Sequence, residues 1–163
     1  MEDKTFIEDV DELCGLAPVA RASIRRHVLV CAGKSCAAVG SAEVKEAFTH
    51  ELKARGLLYG KASKGKNPEG SVVLTDCSSV GFCAVGAAVL VYPDGVWYAQ
   101  VRARDVAEIV EEHVVGGRVV GRLALLKIPS GGADEGGADG AAVGAAGGAE
   151  AAELDKTNAG AGS

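Results

Sequence analysis

The sequence has few aromatic residues, no excess of positive charge and no long apolar run, and each absence excludes a class of protein. Aromatic side chains make up 4% of the 163 residues, so a hydrophobic core has to be built from Val, Leu, Ile and Ala. A net charge of −5 excludes a strongly basic nucleic-acid-binding domain. No apolar run reaches the roughly 20 residues that span a bilayer, and the acidic start MEDKTFIEDV is unlike a signal peptide. We expect a soluble cytoplasmic domain that binds neither nucleic acid nor membrane.

The acidity of the chain is concentrated towards its C-terminus. Positions 129–163 carry six acidic residues and one basic residue, whereas positions 1–128 carry sixteen of each. The terminal segment is mainly Gly and Ala, and its only large apolar residues are Val143 and Leu154. Such a composition cannot bury enough surface to offset the entropy of ordering the chain. We therefore predict a disordered low-complexity tail over 129–163, a globular domain over 27–128, and an N-terminal helix with a linker over 1–26.

Hydrophobic patterns and turn residues predict an α/β sandwich for the globular domain. Apolar residues that favour β structure predict a strand over 27–30, which leads directly to a cysteine. Ser41 as an N-cap and Gly56 as a stop predict a helix over 41–55. The same reasoning predicts a strand over 72–74, a hairpin around Pro93-Asp94-Gly95, a helix over 106–115 opened by a capping box of Asp105 and Glu108, and an extended segment within 119–128.

The five cysteines carry the strongest chemical signal. Cys31 and Cys36 form a C-x4-C pair, Cys77 and Cys83 form a C-x5-C pair, and Cys14 stands alone. An odd number of cysteines without a secretion signal does not indicate a disulfide framework. Two close pairs separated by an intervening segment are what a metal or iron–sulfur site with four thiolates needs. Loops anchored at one end of a sheet are expected to bring the four paired thiols together.

The spacing of the cysteines leaves the nature of the bound group open. Structural zinc sites favour a C-x2–4-C spacing, and the C-x5-C pair is loose for such a site. A larger [2Fe–2S] cluster tolerates that spacing, with two thiolates on each iron. The third alternative is that the thiols are merely reduced and buried, which applies best to the isolated Cys14.

Two stretches of the sequence resemble the thioredoxin-like [2Fe–2S] ferredoxins. They are CAAVGSAEVKEAF at 36–48 and GAAVLVYPDGVWYAQV at 86–101. In that family a first cysteine pair precedes a Gly-Ser helix start, and a C-x3-C pair precedes a V-Y-P-[DE]-G-V-W-Y hairpin. The resemblance covers about residues 27–115. It implies a thioredoxin-like sheet with flanking helices, a [2Fe–2S] cluster, one-electron transfer to a redox partner protein without catalysis, and a homodimer as in several members.

The resemblance also implies the cluster ligands, with one departure from the family pattern. Cys31, Cys36 and Cys83 match the family residue by residue, but the fourth position falls on Ser79. A cysteine stands two residues earlier, at Cys77. Three outcomes are open: Cys77 ligates after a local rearrangement, Ser79 ligates through its alkoxide, or no stable cluster forms. Because thiolate is the better iron ligand, we predict ligation by Cys31, Cys36, Cys77 and Cys83.

Two further functions compete with that of an electron carrier. The chain is alternatively a cluster-free or zinc-bound thioredoxin-like interaction module, which kept the scaffold after losing the cysteine at position 79. It is otherwise a cluster-bearing subunit of a larger oxidoreductase, docked through its N-terminal helix. The lysines at 61, 64 and 66 form a basic loop, which is either a contact for an acidic redox partner or an ordinary solvated loop.

Overall fold

A five-stranded mixed sheet forms the centre of the fold in the computed structural model, which describes residues 7–129 and, at position 83, the backbone alone. The strand order is β2-β1-β3-β4-β5. Strands β1 and β2 are parallel, and every other neighbouring pair is antiparallel. The strands are β1 (Arg26–Cys31), β2 (Val72–Cys77), β3 (Val89–Tyr92), β4 (Val96–Tyr98) and β5 (Ala124–Lys127).

Helices precede the sheet and connect its strands. The α-helices are α1 (Val10–Leu16), α2 (Lys34–Ala37), α3 (Ser41–Ala54) and α4 (Val106–Glu108), and α4 continues as a π-helical segment (Ile109–Val115). Short 3-10 helices occupy Pro18–Arg21, Ala62–Lys64, Cys83–Val85 and Ala103–Asp105. Within residues 7–129, no helix is long and apolar enough to cross a membrane.

The hydrophobic core lies between one face of the sheet and the two longest helical segments. Helix α3 contributes Val44, Phe48 and Leu52, and the 106–115 segment contributes four further apolar side chains. Only Phe48 and Tyr98 are aromatic among the buried members of this cluster. The expected aliphatic core is therefore confirmed, and each fully buried Val or Leu stabilises the fold by about 1.5–3 kcal/mol.

The start of the last helical segment differs from the prediction. Asp105 and Glu108 do not form the predicted capping box, because the helical turn opens earlier, at Ala103. Asp105 is then the third residue of that turn, and its carboxylate accepts a hydrogen bond from the backbone N–H of Arg102 at 2.8 Å. A second bond from Arg122, at 2.9 Å, also holds this carboxylate. Asp105 therefore caps this turn with its side chain, and its own backbone N–H donates to the carbonyl oxygen of Arg102 at 2.9 Å.

The opposite face of the sheet carries half-buried and exposed side chains. Side chains alternate along a strand, so the register places His27 and Leu29 of β1 on one face with Leu90 of β3 and Trp97 of β4. All four are half-buried. The two longest helical segments pack on the other face, with the core. We call this second surface the outer face.

Two predicted helices are present with slightly different bounds, and the predicted tail lies almost wholly outside the described residues. The N-terminal helix predicted within 1–26 is present and spans Val10–Leu16. The helix predicted over 41–55 is confirmed as α3, with Gly40 rather than Ser41 at the N-cap position. Residues 1–6 and 130–163, which include nearly all of the tail predicted over 129–163, lie outside the described residues.

Candidate metal centre

Strands β1 and β2 end with cysteines that lie side by side. Cys31 and Cys77 occupy the same register position of the parallel pair, so their side chains lie on the same face. The Cys31 thiol lies 3.9 Å from the carbonyl oxygen of Ser78. The Cys77 thiol lies 3.6 Å from that of Val30. The first cysteine loop, over 31–40, and the second, over 77–86, therefore start from neighbouring points at one end of the sheet.

The third cysteine lies in the same place but comes from helix α2. Cys36 is fully buried, and it forms a small hydrophobic cluster with Cys31 and Ala88. Val80 and Phe82, both from the second cysteine loop, pack against this cluster. Two of the predicted ligands therefore share one apolar environment that the second loop covers.

Glycines allow the chain segments around these cysteines to approach closely. A Cβ atom at Gly86 would lie 2.8 Å from the sulfur of Cys36, so only glycine fits there without a shift of neighbouring atoms. A Cβ atom at Gly33 would lie 3.2 Å from the Cα and Cβ atoms of Ser79. The two cysteine loops thus pack directly on each other, and Ser79 lies over the first loop.

The remaining predicted ligand is described only by its backbone. The 3-10 helix Cys83–Val85 packs against α2, the helix that carries Cys36. The side chain of Cys83 lies outside the described part of the structure. Cys14 lies in α1 and is not a member of the cluster around Cys31. Cys31 therefore lies beside Cys77 and in one cluster with Cys36, and the backbone at position 83 packs against the helix that carries Cys36.

The electrostatic environment holds Cys77 as a neutral thiol when no cation is bound. Burial, the neighbouring Cys31 and the Asp76 carboxylate all raise the pKa of the Cys77 thiol. Asp76 is itself paired with Lys45. A bound cation supplies the positive field that ionises such a thiol, so occupancy of the site and deprotonation of Cys77 are coupled.

The donor set fits a soft metal group rather than a histidine or carboxylate site. Four cysteines on two touching loops suit iron or zinc, which thiolates bind well. His27, His50 and His113 lie in β1, α3 and the π-helical segment, and none is a member of the Cys31 cluster. Among the described side chains, which exclude that of Cys83, no three Cys, His, Asp or Glu residues form a metal-binding group. Cys31, Cys36 and Cys77 therefore do not form such a group in the arrangement that the structure describes.

An aromatic contact beside the cysteines was not evident from the sequence. The rings of Phe82 and Trp97 lie 4.8 Å apart, centroid to centroid, and are tilted by 47°. Phe82 directly precedes Cys83, so this contact ties the second cysteine loop to the outer face of the sheet. Alternation in the hairpin predicts the face on which Trp97 lies, but no sequence signal links it to Phe82.

Comparisons with known proteins identify similar chains. No family model matches the sequence. The chain is 38% identical over 110 residues to a [2Fe–2S] ferredoxin of Aquifex aeolicus (strain VF5), which covers 63% of this chain and 90% of the relative. It is 37% identical over 109 residues to a [2Fe–2S] ferredoxin of Clostridium pasteurianum, which covers 62% and 96%.

Solved structures agree with the sequence comparison. The thioredoxin-like [2Fe–2S] ferredoxin of Aquifex aeolicus superposes with a TM-score of 0.53 at 34% identity, covering 68% of this chain and 99% of that one. A variant of the same ferredoxin with one cysteine replaced by serine gives a TM-score of 0.52 at 37% identity, covering 62% and 98%. The predicted resemblance and the predicted fold class are both confirmed.

Proposed function

The chain belongs to the thioredoxin-like [2Fe–2S] ferredoxins, and we propose that it carries single electrons on a [2Fe–2S] cluster held by Cys31, Cys36, Cys77 and Cys83. The observation that carries the proposal is the convergence of two cysteine loops at one end of the sheet, with Cys31 beside Cys77 and in one cluster with Cys36. Bound there, the cluster supplies one-electron redox chemistry. The protein supplies ligands, screening and a surface for the partner, and it has no substrate of its own.

The surroundings of the cysteines suit a partly screened redox centre. Cys31 and Cys36 are buried, whereas Cys77 is half-buried. Ala88, Val80 and Phe82 keep water from the inner thiols. Screening and hydrogen bonding around the sulfurs tune a cluster's reduction potential. The side nearer Cys77 is therefore the edge at which electrons enter and leave.

Geometry favours Cys77 over Ser79 as the fourth ligand. Cys77 occupies the register position beside Cys31 at the end of β2, and its side chain lies on the same face. Ser79 is exposed and packs on Gly33 of the first loop. A serine hydroxyl is not appreciably ionised at neutral pH, whereas a thiol close to iron loses its proton readily. Ligation by Cys77 is proposed to follow a rearrangement of the loop between Ser78 and Phe82.

Metal and sulfide analysis of the protein purified without oxygen tests the proposal. We expect coloured protein with about two iron atoms and two labile sulfides per chain, the content of one [2Fe–2S] cluster. A colourless protein containing one zinc would support the interaction module instead. Colourless protein that also fails reconstitution with iron and sulfide would rule out the ferredoxin function.

We also propose a homodimer formed through the outer face. Leu29, Leu90 and Trp97 are half-buried there, and Tyr92 is 60% exposed. A twofold interface requires a surface that complements itself, which an uncharged apolar face does. Light scattering tests the proposal: we expect a dimer, and Leu126→Lys in β5, opposite Trp97 in the register, should yield monomers. Lys61→Ala, in the exposed loop, is the control.

One observation favours the alternative of a subunit in a larger oxidoreductase. Helix α1 exposes Val10, Leu13 and Leu16, which could dock on another chain. We propose a free cytoplasmic electron carrier as the main function, because the matched relatives from Aquifex and Clostridium are themselves ferredoxins. A reducing compartment also keeps the thiols available for ligation. Affinity purification tests this choice. A stoichiometric partner that is lost with Val10→Asp would establish the subunit function.

A further inference from the structure

A groove beside the edge strand β2 is lined by lysines. It has a volume of about 580 Å³ and lies between helix α3 and the loop at 57–70. Lys45 and Lys53 line it from α3, and Lys66 lines it from the loop. Leu58 and Leu74 add apolar surface. None of the described residues that line it is acidic. We call this surface the lysine groove.

The loop that forms one wall of the groove is held in place. The Asn67 side-chain amide donates to the carbonyl oxygen of Gly56 at 2.9 Å, which fixes the loop to the end of α3. The backbone N–H of Gly60 donates to the carbonyl oxygen of Asn67 at 2.8 Å. The stem of Lys66 lies directly over Gly60, where a Cβ atom would come within 2.5 Å of the Lys66 Cβ. Lys66 is therefore positioned by packing, unlike a lysine on a free loop.

The lysine groove adjoins the proposed cluster. Lys45 pairs with Asp76, the residue directly before Cys77. Side chains alternate along a strand, so Asp76 lies on the helix-covered face and Cys77 on the outer face. Because β2 is the edge strand, a protein in the groove reaches the half-buried Cys77 around this edge of the sheet. Electron transfer needs that proximity, and the apolar Leu58 and Leu74 add surface for packing.

The charge of the groove contrasts with that of the rest of the chain. Three lysines and no acidic residue are among the described residues that line the groove, although residues 1–128 have equal numbers of basic and acidic residues. A concentrated positive surface steers a negative partner and raises its association rate. Of the described residues that line the groove only Tyr59 is aromatic, whereas surfaces that bind single-stranded nucleic acid present several aromatic rings for stacking.

We propose that the lysine groove is the docking site for an acidic redox partner protein, an inference that rests on the proposed function as an electron carrier. The partner presents carboxylates to Lys53 and Lys66 and brings its own redox group towards Cys77. Lys45 orients the partner at the end of the groove nearest to Cys77, while it remains paired with Asp76.

Binding of a fluorescent poly-L-glutamate peptide to the full chain provides the first test. The double variant Lys53→Glu/Lys66→Glu reverses two charges in the groove and leaves the Lys45–Asp76 pair intact. The control is Arg118→Glu/Lys127→Glu, two exposed positions that do not line the groove, with Lys127 in β5 at the opposite edge of the sheet. At low ionic strength we expect the groove variant to bind about tenfold more weakly or worse, and the control to keep wild-type affinity within about twofold.

Voltammetry of the cluster-loaded protein provides the second test. On an electrode coated with carboxylates, we expect the electron-transfer rate constant of the groove variant to fall about tenfold relative to wild type. The midpoint potential should stay the same, since neither substituted residue is a ligand. On an electrode coated with amines the groove variant should lose no rate.

Three results would overturn the proposal. They are a wild-type chain that does not bind the peptide, an equal loss of affinity in the control variant, and a single-stranded oligonucleotide that binds as tightly and is lost with the same substitutions. Peptide binding does not require the cluster. A protein that binds the peptide but fails to hold iron and sulfide therefore refutes the electron-carrier function, while a loaded protein with no groove effect refutes only the docking site.

Discussion

The buried side chains of Tyr98 and His113 form a chain of hydrogen bonds with the backbone of Val120. The backbone N–H of Val120 donates to the Tyr98 hydroxyl at 3.1 Å, and that hydroxyl lies 2.8 Å from Nδ1 of His113. The hydroxyl therefore donates to Nδ1, which leaves the imidazole hydrogen on Nε2. Nε2 has no hydrogen-bond partner among the described residues, and the Asp94 carboxylate lies 3.6 Å away. Burial raises the pKa of Tyr98 to about 12, so its hydroxyl stays protonated.

The buried His113 makes stability depend on pH. Burial lowers its pKa, with Arg26 and Lys127 acting in the same direction and Asp94 opposing them. Because the folded state binds this proton less readily than the unfolded state, stability is fully present above the unfolded value near 6.5 and falls as pH drops below it. We expect the melting temperature to decrease from pH 7.5 to 5.5.

Substitution separates His113 from the other histidines. His113→Gln should flatten the pH dependence and lower stability by about 1–3 kcal/mol, since it disturbs the bond to Tyr98. His50→Gln, at an exposed position, should change neither. His27 is half-buried with a pKa also lowered by burial, so some dependence should persist in His113→Gln. An unchanged slope in that variant would contradict the assignment.

The fourth ligand is tested by single substitutions at two positions. Cys77→Ala should abolish the visible absorption of the cluster, and Ser79→Ala should preserve most of it, because a thiolate binds iron far better than a serine hydroxyl. Ser79→Cys in the Cys77→Ala background should restore the spectrum by returning the C-x3-C spacing of the family. Cys14→Ala, remote from the site, is the control. The reverse ranking would assign ligation to Ser79.

At the scale of elements, the chain just before β3 approaches helix α2 closely at Gly86. We therefore predict that a larger residue at this position disturbs the contact. Gly86→Ala places a methyl group 2.8 Å from the Cys36 sulfur, which forces neighbouring atoms apart and should cost about 1–3 kcal/mol. We expect lower iron occupancy after reconstitution and a lower melting temperature. Gly121→Ala, where no atom lies within 4 Å of the added carbon, should change neither. Full occupancy in Gly86→Ala would mean that the loop moves freely.

Most elements could be predicted because their signals are local. The hairpin follows from Pro93-Asp94-Gly95 between apolar runs, and β1 follows from its run of β-favouring residues. Strand β2 extends beyond its predicted end at 74 to Cys77, because pairing with β1 accommodates the polar Thr75 and Asp76. The π-helical segment also depends on tertiary packing, and its sequence reads as an ordinary amphipathic helix.

At the scale of the whole molecule, the cysteine site could also be predicted from the sequence only in part. Grouping of the cysteines predicted which thiols are candidates, and the parallel pairing of β1 with β2 explains why Cys31 meets Cys77. The sequence does not reveal that Ser79 packs on Gly33 or that the ring of Phe82 contacts that of Trp97. Contacts between loops depend on the complete arrangement of strands, which no local pattern encodes.

Removal of the acidic C-terminal segment tests whether this segment contributes to the stability of the fold or only to the solubility of the protein. The last strand, β5, ends at Lys127, and the backbone N–H of Ile128 donates to the carbonyl oxygen of Gly95 at 2.8 Å, so ordered contacts reach residue 128. Truncation after Pro129 should change the free energy of unfolding by less than about 0.5 kcal/mol and leave iron content unchanged.

Truncation after Pro129 also removes the five net negative charges of the chain. Since proteins near zero net charge associate more readily, light scattering at low ionic strength should show more self-association in the truncated chain. Truncation after Gly121, which deletes β5 and exposes the edge of β4, is the contrasting variant and should unfold at a clearly lower temperature. A large fall in melting temperature or iron content after truncation at Pro129 would show that the acidic segment contributes to the fold.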